Sequence, residues 1–244
     1  MNPPASFPPE LRVFDSPAAL AEAAAQYALA ALRERRDREA PWCLALSGGR
    51  IAGPFYDALV QHSEPDAAEW RGVEFFFADE RWVPLDDPES NYRLARERLF
   101  DPLRVPARAR HALAGGPSRE FTAAQAQAEL VRLAPASLEG QPRLELVILG
   151  MGEDGHVASL FPDAPESVLT SRAVYLPVDG PKPPPERITL TYAVLAAARR
   201  VCVLISGAGK EAALRESLRA DGRTPLARLL RLRRQTLLLT DVKI

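Results

Sequence analysis

Residues 144–150 read Leu-Glu-Leu-Val-Ile-Leu-Gly, an apolar run with too little alternation for a strand with one wet face. A short, continuous apolar run closed by glycine reads as a strand buried on both sides. Four runs of the same kind lie along the chain: 43–47 (CLALS), 73–79 (VEFFFAD), 201–207 (VCVLISG) and 236–241 (TLLLTD). Weaker candidates are 173–178 and a segment around Ile188. Helical patterns fill the intervals. The first starts with Ser16 as N-cap and Pro17 at the first helical position, and runs to about residue 38. Others cover 53–62, 91–100, 118–133, 192–198, 210–220 and 225–232. Strands alternating with helices predict an α/β fold, a mostly parallel sheet with helices on both faces. No internal repeat interrupts the pattern, so 1–244 reads as one domain, with 1–13 a loose N-terminal segment. The longest loop, 177–186, is rich in proline, which blocks both helix and ladder, and it reads as a structured active-site loop.

Composition narrows the function classes. The formal net charge is −1, without the clustered basic excess of a nucleic-acid footprint. No apolar run approaches the ~20 residues of a membrane span. The opening MNPPASFPPELRV lacks the basic and apolar regions of a signal peptide. Cys43 and Cys202 fall in apolar runs, with spacing that suits neither a metal cluster nor a disulfide framework. The expectation is a cytoplasmic protein with buried thiols, no membrane and no nucleic-acid partner. Only three of the basic residues are lysines, Lys182, Lys210 and Lys243.

In open parallel sheets, ligands bind beyond the carboxyl ends of the strands. Four polar clusters follow strands here. The first is Ser47-Gly48-Gly49-Arg50. It can converge backbone N–H groups on an anion at a helix start, or be a tight turn needing positive φ. No Walker pattern is present, so a nucleotide triphosphate is not implied. The second is Ala78-Asp79-Glu80-Arg81-Trp82 with Ser90-Asn91-Tyr92 downstream. Charges ending an apolar strand are costly unless paired or used, and Arg81 could clamp a phosphate bidentately. Ser90 is equally plausible as the N-cap of the next helix.

The third cluster, Gly150 to Pro162, reads GMGEDGHVASLFP. Its formal G-x-G-x-x-G is not a dinucleotide site. Pro162 stops any following helix early, and Glu153 and Asp154 put negative charge where a pyrophosphate would sit. His156 can accept a proton from water at neutral pH, with Asp154 near enough to orient the ring. The fourth cluster holds the late basic groups, Arg187 and Lys210. A cation at a helix N-terminus opposes the helix dipole, a misfit that an anionic ligand would explain. His62 and His111 have no such setting and read as surface or capping residues. No metal-ligand spacing and no G-x-S-x-G nucleophile elbow are found, and no cofactor is implied.

Taken together, LSGG, ADERWVP with SNY, LGMGEDGHVASLFP, RITLT and SGAGKEAAL resemble the glucosamine-6-phosphate isomerase/6-phosphogluconolactonase family, over roughly residues 14–241. The resemblance implies a Rossmann-like fold shared with glucosamine-6-phosphate deaminase, ribose-5-phosphate isomerase and the CoA-transferases. It implies metal-independent hydrolysis of 6-phosphogluconolactone, with a sugar phosphate as partner and a monomer or small homo-oligomer as assembly. The family histidine matches His156. Its phosphate and substrate contacts match Gly48, Gly49, Arg81, Arg187 and Lys210, and its acidic strand end matches Asp79. One departure stands out: similar sugar-phosphate sites continue the double glycine with Ser/Thr-Thr-Pro, whereas this chain has Arg50-Ile51-Ala52-Gly53-Pro54. Two competing expectations follow from the same scaffold. A deaminase needs a carboxylate shortly after the histidine, where this chain has Ser159-Leu160-Phe161-Pro162. A non-catalytic sugar-phosphate sensor usually carries an attached domain, for which the thirteen residues before Phe14 leave little room.

Overall fold

The structure is a computed structural model that describes residues 9–35, 37 and 40–243. Its strands are β1 (Glu10–Val13), β2 (Trp42–Leu46), β3 (Val73–Phe77), β4 (Asp79–Arg81), β5 (Leu146–Gly150), β6 (Tyr175–Asp179), β7 (Glu186–Leu190), β8 (Val201–Ile205) and β9 (Leu237–Thr240). Its α-helices are α1 (Pro17–Arg33), α2 (Ala52–Gln61), α3 (Asn91–Ala95), α4 (Arg119–Leu133), α5 (Glu166–Leu169), α6 (Tyr192–Ala197), α7 (Glu211–Leu218) and α8 (Pro225–Leu232).

The five apolar runs supply five strands of a six-stranded parallel sheet, ordered β1-β9-β8-β5-β2-β3. Every residue of β2, β8 and β9 is buried, as continuous apolar strands require when both sheet faces are covered. The helices pack in groups, α1 against α2 and both α6 and α7 against α8. Helix starts follow their capping residues. Ser16, Ser118 and Thr224 each accept a backbone N–H of the first turn, and Pro17 and Pro225 occupy the opening turns. Among the described residues no helix is long and apolar enough to cross a membrane.

From β2 the chain moves outward to β3 on one side. From β5 it moves outward through β8 to β9 on the other. The direction of winding therefore reverses between β2 and β5, and the loops leaving their carboxyl ends diverge into a crevice.

Four expectations change. The 73–79 run is not one strand. Ala78 donates its N–H to Leu46 and accepts from Leu190, at 2.7 Å each, so the chain leaves the parallel sheet there. It continues as β4 in a three-stranded antiparallel sheet, β4-β7-β6. The proline-rich loop is mostly a hairpin between β6 and β7. Pro177 is tolerated because β6 lies at an edge, where one side of the strand needs no N–H. The N-terminal segment is not loose over 10–13: β1 pairs in parallel with β9, while residues 1–8 lie outside the described residues. Finally, α1 ends at Arg33, and residues 36, 38 and 39 of its expected extension lie outside the described residues.

Arg233 closes one end of this framework. Its buried Nη1 donates to the carbonyls of Leu195, Ala196 and Ala198 at 2.6, 2.9 and 2.8 Å, the unpaired end of α6. Burial lowers its pKa to about 10, still well above neutrality. Arg233→Met should leave those carbonyls without a donor and cost roughly 2–4 kcal/mol. The fall in urea midpoint at unchanged slope would measure it.

Candidate active site

The crevice between the β2 and β5 loops is about 250 Å³. Ser47, Gly48, Gly49 and Arg50 enter it after β2, and His156 after β5. Asp79 and Arg81 come from β4, Arg187 from β7, and Lys210 from the start of α7. Nine of the ten residues singled out in the sequence therefore share one wall. The tenth, Asp154, stands behind His156.

The histidine loop is folded back on itself. Gly152 N–H donates to the His156 carbonyl at 2.9 Å, and Met151 bridges Val157. Asp154 Oδ1 lies 2.5 Å from His156 Nδ1 and also accepts the His156 backbone N–H at 3.1 Å. Burial alone would raise the Asp154 carboxyl, but the hydrogen bonds and charge of His156 outweigh it and bring the pKa down to about 2. An ionised Asp154 selects the tautomer with a proton on Nδ1 and leaves the Nε2 lone pair free. Phe161 packs against the imidazole, with ring centroids 4.8 Å apart. Gly152 is obligatory for this fit: a Cβ there would fall 2.1 Å from Nδ1 and 2.7 Å from Asp154 Oδ1. No helix follows directly, in keeping with rejection of the dinucleotide reading.

The two glycines after β2 have different reasons. Gly49 has φ +94°, a conformation that favours glycine, and nothing lies within 4 Å of its missing Cβ. Gly48 makes room for Asn91, whose Oδ1 would be 1.8 Å from a Cβ at that position. Asn91 Nδ2 in turn donates to the Asp79 carbonyl at 2.8 Å, tying the glycine loop to β4. Ser47 Oγ is buried and has no hydrogen-bond partner.

The charges after β3 divide their work. Asp79 is buried and accepts from Ser159 Oγ at 2.7 Å, linking β4 to the histidine loop. Glu80 is fully buried and turns away from the crevice. Its carboxylate receives the backbone N–H groups of Arg81, Asn91 and Tyr92 at 2.7–2.8 Å, and Ser90 Oγ at 3.2 Å. Burial pushes its pKa up to about 7 against the pull of those N–H groups. Ser90 is the N-cap of α3, accepting from Arg93 N–H. Arg81 and Arg187 stand directly opposite each other across β4 and β7. Like charges in that register repel, so an anion between them would be favoured. Arg81 Nη1 is held by Glu89, while its Nε is buried without a partner. Burial, and then Arg81, press the Arg187 pKa below its usual value. Lys210 is 9% exposed, and among the described residues no hydrogen bond or ion pair engages its ammonium. Burial, and then Arg50, lower its pKa.

Several members of the wall escaped sequence reading as site residues. Asn91 stood in a motif whose serine drew the attention. Lys182, from the proline-rich turn, joins the wall although only its rarity as a lysine marked it. Ile51, Gly150, Met151, Gly152, Glu153 and Ala158 complete it. His62 caps α2 and lies 2.6 Å from Glu22. His111 is not a surface residue. It stacks on Phe76 at 4.2 Å and pairs with Glu74 at 2.7 Å, because the segment beyond β3 folds over the sheet edge.

The sequence profile described as glucosamine-6-phosphate isomerases/6-phosphogluconolactonase matches residues 15–238. The chain belongs to this family. Within it, the protein named probable 6-phosphogluconolactonase 3, chloroplastic, of Oryza sativa subsp. indica is 35% identical over 213 residues, covering 85% of this chain. The chain spans only 65% of the length of that relative. The 6-phosphogluconolactonase of Streptomyces coelicolor is 34% identical over 220 residues, covering 88% of this chain and 84% of its own. The crystal structure of 6-phosphogluconolactonase from Leishmania guyanensis superimposes with a TM-score of 0.82 at 27% identity, covering 96% of this chain and 97% of that one.

Gly152→Ala should drive the imidazole off Asp154 while leaving the sheet intact. In proton NMR, the downfield Nδ1–H resonance of a carboxylate-bound histidine should disappear, with an unchanged fold signature elsewhere. A retained resonance would mean that the loop accommodates a methyl group and that the contact is less tight than described.

Proposed function

We propose that this crevice hydrolyses 6-phospho-D-glucono-1,5-lactone to 6-phospho-D-gluconate, in the oxidative pentose phosphate pathway. The observation that carries the reading is a histidine held through Nδ1 by an ionised carboxylate, facing a cleft walled by Arg50, Arg81, Lys182, Arg187 and Lys210. The relatives that bear the lactonase name support it. The segment after His156 also fits. It supplies no carboxylate for shuttling a proton between carbons, and its one polar side chain, Ser159, is engaged by Asp79.

In this reading, Nε2 of His156 takes a proton from water as the water oxygen attacks C1. The tetrahedral intermediate collapses by breaking the bond from C1 to the ring oxygen, and the imidazolium returns its proton to that oxygen. Asp154 stabilises the imidazolium without itself taking the proton. A lactone is electrophilic enough that no covalent intermediate is needed. The phosphate end does no chemistry. Arg81, Arg187, Lys210, Ser47 and the backbone of the Gly48–Gly49 turn hold it, so that remote binding energy becomes orientation at C1. Two buried, unpaired thiols suit a reducing compartment, and we assign the reaction to the cytoplasm.

His156→Ala should lower kcat by ~10²–10⁴-fold while leaving affinity for 6-phosphogluconate nearly intact. Unchanged kcat would remove His156 from the reaction. The pH profile provides a second check. Because the Asp154 pKa is lowered from 3.8 to about 2, its stabilising hold is complete above pH ~4 and is lost only as pH falls through the lower value. Asp154→Asn should abolish the part of any acid loss that belongs to this carboxyl.

Lys210→Ala should raise KM for the phosphorylated lactone at least ~10-fold with a smaller change in kcat. Glucono-1,5-lactone without phosphate serves as control. An equal proportional loss with that substrate would detach Lys210 from the phosphate.

A further inference from the structure

The start of α2 offers an anion little besides backbone. Its N-cap is Ile51, without a side-chain capping bond, and no hydroxyl or carboxylate occupies the first turn. Arg50 directly precedes Ile51 in the chain, and its guanidinium points across the mouth of the crevice. Its Nη2 lies 3.7 Å from Glu153 Oε1, on the loop that leaves β5. The pair runs over the turn between β8 and α7. A Cβ at Gly207 would sit 3.8 Å from the Arg50 guanidinium, and one at Gly209 would sit 3.5 Å from the Glu153 carboxyl carbon. Both glycines have positive φ, which keeps that turn low beneath the bridge. Three loops from both sides of the switch point thus meet at one ion pair, directly beside the buried and unpartnered Lys210.

The pair is built to part. Arg50 and Glu153 are 79% and 55% exposed, so water and salt screen their attraction. Nothing else holds either side chain: among the described residues neither forms a hydrogen bond. Glu153 also faces the wrong way for its charge. A dianion seated against Lys210 and the helix start would repel the carboxylate and attract the guanidinium that it now holds.

We propose that Glu153 is a stand-in for the ligand's anionic end: it keeps Arg50 across the mouth of the crevice, and a phosphate dianion takes Arg50 from it. The Arg50–Glu153 exchange then sets how strongly phosphorylated ligands are preferred over neutral ones. The inference deepens the functional reading above and rests on its assignment of a phosphorylated ligand to this crevice. Arg50 and Glu153 are specificity determinants in it: of the two, Arg50 alone touches the ligand, and only in the exchanged state.

Titration calorimetry with 6-phosphogluconate and with inorganic phosphate tests it on the wild type, Arg50→Ala, Glu153→Gln and the double variant. Both side chains are exposed, so all four proteins should fold. Glu153→Gln should tighten both ligands by roughly two- to fivefold, and Arg50→Ala should weaken both by a similar factor. In the Arg50→Ala background, Glu153→Gln should bring little or no tightening, since there is no guanidinium left to release. Raising salt should erode the Glu153→Gln gain. Two results overturn the proposal: unchanged or weaker binding in Glu153→Gln, or the same gain with and without Arg50, which is bulk charge alone. Calorimetry needs no turnover. A failure of the exchange therefore reads separately from a failure of lactone hydrolysis, which shows only in the turnover assay.

Discussion

The reversal of winding between β2 and β5 is the constraint on which the rest of the molecule depends. Parallel strands wound in one direction would send successive loops the same way and close the space above them. Here the loop after β2 turns one way and the loop after β5 the other, and the space between them stays open. The double glycine, the histidine after Gly155 and the buried Lys210 all converge on that opening.

A second, smaller sheet supplies what the first cannot. Parallel strands deliver residues to the crevice only from their ends. At Ala78 the chain steps out of the parallel ladder into an antiparallel one, which turns Asp79, Arg81 and Arg187 toward the opening from the side. The step is stabilised by buried polar contacts that are all satisfied locally. Glu80 gathers three backbone N–H groups and a hydroxyl, Asp79 takes the Ser159 hydroxyl, and Asn91 bridges to the Asp79 carbonyl. Such a network carries little net stability, but it specifies one arrangement, because any shift strands a buried charge. The two opposed arginines show the remaining imbalance. Glu89 holds Arg81, and the carbonyls of Pro184 and Lys182 accept from Arg187, so the facing like charges are only partly offset.

At two glycines the reason is close approach rather than turn chemistry. Gly152 admits the imidazole and Gly48 admits the Asn91 amide, and neither needs an unusual backbone angle for it. In both cases, the hydrogen atom in place of a side chain lets a functional group reach the backbone of a neighbouring loop.

Much of this was legible along the chain. Continuous apolar runs located five strands to within two or three residues, since a strand buried on both faces leaves no polar positions. Ser16-Pro17, Ser118 and Pro225 marked helix starts because capping chemistry is local. Polar residues placed just after apolar strands identified nine residues of one wall, because a charge at a strand end must be paired or used. What the sequence could not contain is pairing between distant segments. Asp79 meets Thr189 across β4 and β7, Ser159 meets Asp79, and β1 meets β9 near the opposite end of the chain. Nothing in a local window distinguishes Glu80, which anchors a helix start, from Asp79 beside it, which faces the crevice. Nor does it show that Arg50 reaches Glu153. Local patterns determined which elements form and where they end. Only tertiary packing decided which of their charges point at each other, because that depends on segments that are distant in the chain coming together.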